Sequence, residues 1–151
     1  MHEATGNIWD AKAERTVITI SAEYSGGPGS ERAFLVSGIA AQAARRYPSL
    51  EEIIGTLLSL PTVGERVTAI PYDLIYFPVK SKERDNANLS RIELSALELV
   101  ALTDKRDWAK VVLPRPGVGR GGLLWESVRP ILAKILDDRF TCMTYQSKEI
   151  T

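Results

Sequence analysis

A short apolar strand that leads into a glycine-rich loop and then into a helix is the feature that most constrains the fold of this chain. The strand is predicted over Lys110–Leu113, four glycines follow within residues 117–122, and an amphipathic helix is predicted over Leu124–Asp137. Glycine lets an anion approach the backbone closely, and the positive end of a helix dipole attracts it. The segment therefore predicts either a phosphate-holding loop or a tight turn that binds nothing.

The glycine loop does not match the common nucleotide-binding motifs. It is neither G-x-G-x-x-G followed by the acidic ribose ligand of that motif nor G-x-x-x-x-G-K-[ST]. A Rossmann-type dinucleotide site and a P-loop are therefore not predicted.

Composition and charge are typical of one globular domain. The 151 residues are 44% hydrophobic and 25% charged, which suffices for a sizeable core. Nineteen basic and nineteen acidic residues give a formal net charge of zero, which argues against a dedicated nucleic-acid surface. No apolar run approaches the about 20 residues that span a bilayer, and no secretory signal pattern is found. We expect a cytoplasmic protein without a membrane or nucleic-acid partner. The sequence leaves open whether the protein forms a homo-oligomer.

One cysteine and one histidine limit the available chemistry. Cys142 has no second cysteine for an internal disulfide, which fits a reducing compartment, and its apolar strand pattern is typical of a core. His2 is expected at a frayed terminus. Serine–histidine catalysis, cysteine–histidine catalysis and histidine-rich metal sites are therefore not expected, and neither a cofactor nor a metal is predicted.

Strands alternate with helices along the rest of the chain. The predicted elements are strand Thr16–Ile20, helix Val36–Tyr47, a helix from the capping box Ser49–Glu52 to Leu60, strand region Val67–Val79 with a break at Pro71, a helix from the capping box Ser90–Glu93 to Lys105, and strand Arg139–Thr144. This order predicts a single three-layer α/β/α sandwich with a mostly parallel central sheet. We expect an ordered core over about residues 3–145 and a disordered tail over 146–151.

Two glycine-containing loops are expected at the same edge of that sheet. Ligands of such sheets bind beyond the carboxyl ends of the strands. The loops Ser21–Leu35 and Pro116–Leu123 each lead from a strand into a helix, so both are predicted at that edge.

Four segments of the chain look like parts of one known family. Thr5–Asp10 looks like an opening G-D-I segment, and Gly38–Ala43 with Tyr47-Pro48 looks like the helix after a first ligand loop. Ile75–Lys80 is similar to a strand that reads aromatic-Pro-x-Lys, and Leu113–Trp125 is similar to a diphosphate loop with its helix. Over about residues 3–145 the chain thus resembles the macro domain, the ADP-ribose-binding fold, and especially small bacterial and phage macro-like proteins.

The resemblance implies a site for an ADP-ribose-type nucleotide. The implied ligand-binding residues are Asn7, Ile8, Gly38, Ile39, Gly117, Val118, Gly119, Arg120, Gly121, Gly122 and Tyr145. Ile8 and Tyr145 would lie against the adenine, Asn7 would read its exocyclic amine where the family usually has Asp, and residues 118–121 would wrap the diphosphate. Each role has a plain structural alternative: Asn7 as a cap or turn residue, Arg120 as a solvated surface side chain, and Tyr145 as an edge residue.

Departures from the catalytic members of that family favour binding over turnover. The first loop reads Ser21-Ala22-Glu23-Tyr24-Ser25, without the Asn residues or the Lys of active relatives, and the second loop has no Asp. No catalytic residue is therefore assigned. The leading hypothesis is a protein that sequesters or senses ADP-ribose or a modified or cyclic signalling form, as a phage sponge would. The alternatives are an ADP-ribosyl hydrolase or ADP-ribose phosphate phosphatase that uses Glu23 or Glu31 on water, and an oligomeric scaffold without a pocket.

Overall fold

A six-stranded sheet lies at the centre of the computed structural model, which describes residues 1–145. The strands are β1 (His2–Thr5), β2 (Arg15–Ser21), β3 (Tyr24–Ser25), β4 (Arg32–Ala33), β5 (Thr68–Ile70), β6 (Leu74–Lys80), β7 (Val111–Leu113) and β8 (Phe140–Thr144). The helices are α1 (Gly38–Arg46), α2 (Leu50–Leu58), α3 (Leu89–Arg106) and α4 (Trp125–Ile135), with 3-10 turns at Ile8–Asp10 and Gly119–Gly121. The disorder expected for residues 146–151 concerns a segment outside the described residues.

The sheet has the order β1-β8-β7-β2-β6-β5 and is parallel except for β5. Strands β2 and β6 are both inner strands of the sheet, and a bulge between Ile20 and Ser21 shifts their register so that Ser21 lies opposite Lys80. The carboxyl ends of β2 and β6 therefore bring two polar side chains next to each other at one edge of an apolar sheet.

Helices cover both faces of the sheet, which confirms the predicted three-layer sandwich. Alternate residues of β2 point to opposite faces: Val17 packs with α3 and α4, and Ile18 packs with α1 and α2. The same alternation separates Phe77 from Tyr76 in β6. A strand that is buried on both faces has a continuous apolar sequence, and β6 is buried at all seven of its positions.

Strand β1 was not predicted, because the N-terminus was expected to be frayed. His2–Thr5 pairs in parallel with Thr141–Thr144 of β8. All four residues of β1 are exposed. An edge strand with two solvated faces carries no apolar alternation, so its pairing follows from the neighbouring strand and not from its own composition.

Neither predicted capping box forms, although Ser49 is the cap residue of α2 as predicted. Ser49 precedes α2 with a left-handed backbone (φ 63°), and its side chain makes no capping hydrogen bond. The cap of α3 is Asn88 instead of Ser90, and its side-chain oxygen accepts from the Arg91 amide at 3.1 Å. Asparagine caps as well as serine does, so two candidate cap residues, Asn88 and Ser90, made the local pattern ambiguous. The break predicted at Pro71 is confirmed, because β5 and β6 form an antiparallel pair around residues 71–73.

The first glycine loop, between β2 and α1, contains its own short hairpin. Strands β3 and β4 pair antiparallel, with Tyr24 opposite Ala33. The Arg32 guanidinium forms ion pairs with Glu51 and Glu52 at the start of α2. The loop is therefore joined to the helical layer that carries α1 and α2. Across residues 1–145, none of the helices has the length and apolarity needed to cross a membrane.

Candidate functional site

An open cavity of about 110 Å³ lies at the carboxyl ends of β2 and β6, between the two glycine loops. Four stretches of chain that are distant in sequence form its walls: the end of β2, the segment from Phe34 to Ala40, the end of β6 with Glu83, and the second glycine loop. This is the position at which ligands of parallel α/β sheets bind.

The N-terminus of α1 forms one wall of the cavity. Ser37, Gly38 and Ile39 line it, and the first helical hydrogen bond runs from the Ala41 amide to the Ser37 carbonyl. The amides of the first helical turn have no acceptor inside the helix. They are available to an anion, and the helix dipole adds to the attraction.

The second glycine loop forms the opposite wall. The Leu123 amide donates to the Gly117 carbonyl at 3.0 Å, and the Ala87 amide donates to the Gly121 carbonyl at 2.8 Å. Gly117 has φ 73°, and a Cβ there would lie 2.7 Å from Ile92 Cδ1. The loop is thus packed so closely onto the start of α3 that only glycine fits at residue 117.

Two arginines give this wall a positive charge. Arg115, just before the second loop, and Arg120, within it, both line the cavity. The Arg115 guanidinium lies 4.6 Å from the centre of the Trp125 ring, a cation–π contact that orients it. Guanidinium groups pair well with phosphate oxygens.

Lys80, the last residue of β6, brings a third cation to the cavity. The residue is only 9% exposed. Its ammonium donates to the Glu83 carbonyl at 2.8 Å and lies 3.9 Å from the Glu83 carboxylate. A lysine has three donors, so the ammonium keeps donor capacity for a ligand.

Ser21, opposite Lys80 at the end of β2, contributes an unpaired hydroxyl. The residue is 1% exposed and lines the cavity. Its Oγ has no hydrogen-bond partner among residues 1–145. An unpaired buried hydroxyl costs about 1–3 kcal/mol, and a hydroxyl-rich ligand in the cavity offers it a partner.

The structure brings six of the eleven residues proposed from the sequence to this cavity: Gly38, Ile39, Gly117, Val118, Arg120 and Gly121. Gly119 and Gly122 belong to the same loop but do not line the cavity. The other three lie elsewhere. Asn7 borders a separate surface depression with Trp9 and Gln42, and its side chain accepts from the Trp9 amide at 3.0 Å.

Ile8 and Tyr145 flank the same end of the sheet as Asn7. Ile8 packs against the core on the α1 and α2 face, and Tyr145 is 68% exposed. Because the Gly6 amide donates to the Thr144 carbonyl at 2.9 Å, the segments that follow β1 and β8 are joined side by side.

Four polar residues that line the cavity were not predicted as site residues: Ser21, Lys80, Glu83 and Arg115. A signal existed for Lys80, because one cation ends an otherwise apolar strand in the segment Leu74–Lys80. Ser21 and Glu83 carry no such signal, since their position depends on the register of β2 with β6.

Cys142 is a core residue, as expected. Burial raises the pKa of its thiol to about 12, although the nearby Arg115 acts in the opposite direction. Its Sγ lies 3.5 Å from the Pro114 carbonyl. A thiol with this pKa is a poor nucleophile at neutral pH. Within residues 1–145, no three histidine, cysteine, aspartate or glutamate side chains come together as metal ligands do.

Comparisons with known proteins place the fold. No family model matches the sequence. A DNA ADP-ribosyl glycohydrolase of Mycobacterium tuberculosis is 33% identical over 102 residues, which cover 60% of this chain and 28% of that protein. The match therefore spans little more than a quarter of the relative's length.

Several solved structures match nearly the whole chain. The macrodomain of Mycobacterium tuberculosis DarG superposes with a TM-score of 0.78 at 25% identity, covering 98% of this chain and 100% of that one. Thermosipho africanus DarTG in complex with ADP-ribose superposes with a TM-score of 0.74 at 14% identity, covering 97% of this chain and 41% of that one.

Proposed function

We propose that this chain, which has the macrodomain fold, binds ADP-ribose or a close derivative in the cavity between its two glycine loops. The observation that carries the proposal is the pair of anion-binding features on opposite walls of one cavity. The first turn of α1 offers free amides on one side, and the wall formed by the second loop and the preceding Arg115 offers two guanidinium groups, Arg115 and Arg120, on the other. A diphosphate that links two riboses suits this pair, and the likeness to a structure solved with ADP-ribose supports it.

The adenine end is assigned to the segments that follow β1 and β8. Asn7, Ile8 and Tyr145 belong to those segments, which the Gly6–Thr144 hydrogen bond joins. The distal ribose is assigned to the cavity floor, where the Ser21 hydroxyl and the Lys80 ammonium lie on paired strands. Binding without turnover would suit a sponge for a modified or cyclic ADP-ribose signal, including a phage protein that acts against a host defence. The unpaired Cys142 fits the cytoplasm as its compartment.

The binding proposal is tested by thermal unfolding with ADP-ribose, AMP and buffer alone. A ligand that binds only the folded state at 100 times its Kd stabilises it by about 2.7 kcal/mol. We expect ADP-ribose to raise the Tm, and AMP to raise it much less because it lacks the second phosphate and the distal ribose. An ADP-ribose series that leaves the Tm unchanged would contradict the proposal.

A second candidate function, release of ADP-ribose from modified DNA, is favoured by Lys80. A buried cation beside the proposed distal ribose can donate a proton or hydrogen bond to the group that leaves the anomeric carbon, while water adds to that carbon. The M. tuberculosis relative is named for this reaction. Lys80 thus replaces Glu23 and Glu31 as the group on which we base this hypothesis.

Turnover is tested with an ADP-ribosylated DNA oligonucleotide, by following free ADP-ribose. If the chain is a glycohydrolase, we expect Lys80→Ala to abolish release and Lys82→Ala, an exposed neighbour, to leave it unchanged. If the parent protein releases none while it still binds ADP-ribose, it acts as a binding module.

A further inference from the structure

Lys80 is held in the cavity by one short turn of chain. Its ammonium donates to the Glu83 carbonyl at 2.8 Å. The Glu83 carboxylate lies 3.9 Å away, which is beyond hydrogen-bond distance. The position of the Glu83 backbone therefore determines where the buried ammonium lies.

Glu23, in the first glycine loop, holds that turn from the other side. Its carboxylate accepts from the Glu83 amide at 2.9 Å, across 60 positions of sequence. One residue earlier, the Ala22 amide donates to the Lys80 carbonyl at 2.9 Å. Two hydrogen bonds thus join the start of the first loop to the end of β6, and both lie next to Lys80.

We infer that Glu23 is a positioning residue for Lys80. The Glu23 carboxylate holds the backbone of Glu83 through the Glu83 amide. The Glu83 carbonyl in turn holds the Lys80 ammonium at the cavity. Glu23 then acts as a hydrogen-bond acceptor, and its negative charge and basicity are not required. The expected effect of Glu23 on ligand affinity rests on the proposed function. Its effect on the position of Lys80 does not depend on any ligand.

Three substitutions of Glu23 distinguish the role of its acceptor oxygen from the role of its negative charge. Glu23→Gln keeps an acceptor oxygen at the same reach without the charge. Glu23→Asp keeps the charge but withdraws the oxygen from the Glu83 amide, and Glu23→Ala removes both. Glu31→Ala is the matched control, because the Glu31 carboxylate accepts from Gly29 within the same loop and does not contact Glu83.

The first measurement is the rate at which acetic anhydride labels Lys80 in the ligand-free protein, followed by mass spectrometry. The exposed Lys12 is the internal reference. One hydrogen bond is worth about 1 kcal/mol, so we expect Glu23→Ala and Glu23→Asp to speed Lys80 labelling about fivefold relative to Lys12. Glu23→Gln and Glu31→Ala should match the parent.

The second measurement is the affinity for ADP-ribose by calorimetry, which we expect to follow the same pattern and fall about fivefold in the Ala and Asp variants. Unchanged Lys80 labelling in folded Glu23→Ala and Glu23→Asp would overturn the inference. Equal effects of Gln and Ala would also overturn it, because the charge would then be the required property. If the parent does not bind ADP-ribose, the proposed function fails while the labelling still decides the role of Glu23.

Discussion

Two polar side chains lie where an apolar sheet ends, and only one of them has a hydrogen-bond partner among the described residues. Ser21 and Lys80 are buried residues on neighbouring strands. Ser95 shows the usual solution for such a residue, because its hydroxyl donates to the Pro78 carbonyl at 2.7 Å and accepts from Arg91. Ser21 has no comparable bond within the described chain. A buried polar atom without a partner is rare in a native structure and calls for an explanation, of which a functional role is one.

At this scale we predict opposite outcomes for two buried serines. Ser21→Ala should leave the Tm equal or higher, because it removes an unpaired hydroxyl, and should weaken ADP-ribose binding about fivefold. Ser95→Ala should lower the free energy of unfolding by about 1–3 kcal/mol and leave the affinity unchanged. Thermal unfolding and calorimetry measure both quantities. A Ser21→Ala protein with a lower Tm and the parent affinity would show that the hydroxyl serves the fold.

The start of α3 shows how an element depends on one cap. Asn88 accepts from the Arg91 amide through its side chain, and its own amide donates to the Val79 carbonyl at 2.9 Å. Asn88 thus both ends the loop that follows β6 and begins α3. Arg91 in the first turn also pairs with Glu98 of the same helix at 2.6 Å, and Glu98 accepts from the Val67 amide, next to β5, at 3.2 Å.

We predict that Asn88→Ala destabilises the protein by about 1 kcal/mol, whereas Ser90→Ala changes the stability by a few tenths of a kcal/mol. The reason is that the Asn88 side chain satisfies a helix-end amide, while Ser90 is an exposed residue of the first turn. Urea unfolding of the two variants measures the difference. A larger loss for Ser90→Ala would restore the capping box expected from the sequence.

On the scale of the whole molecule, the first loop connects two structural layers. Glu23 joins its start to the turn after β6, and Arg32 joins its end to Glu51 and Glu52 of α2. Gly55 of α2 lies directly under the loop, since a Cβ there would be 2.6 Å from the Arg32 backbone. The wall of the cavity therefore depends on a helix that does not line it.

We predict that Gly55→Ala pushes the first loop away from α2, costs about 1–3 kcal/mol of stability and weakens ADP-ribose binding. Gly27→Ala is the control in the same loop, because a Cβ there meets nothing within 4 Å. Unfolding curves and calorimetry on both variants provide the comparison. A Gly55→Ala protein with the parent stability would contradict this prediction, because the first loop would then move away from α2 without a loss of stability.

The sequence by itself determined the layered architecture and the glycine loop, because strand and helix periodicity and glycine spacing are local properties of the chain. Six of the residues implied by the family resemblance line the cavity. Only the tertiary structure decided the floor of the cavity. Ser21 meets Lys80 through a shifted register, and Glu23 meets Glu83 across 60 positions. Such contacts depend on which strands pair and in what register, and no single segment encodes that.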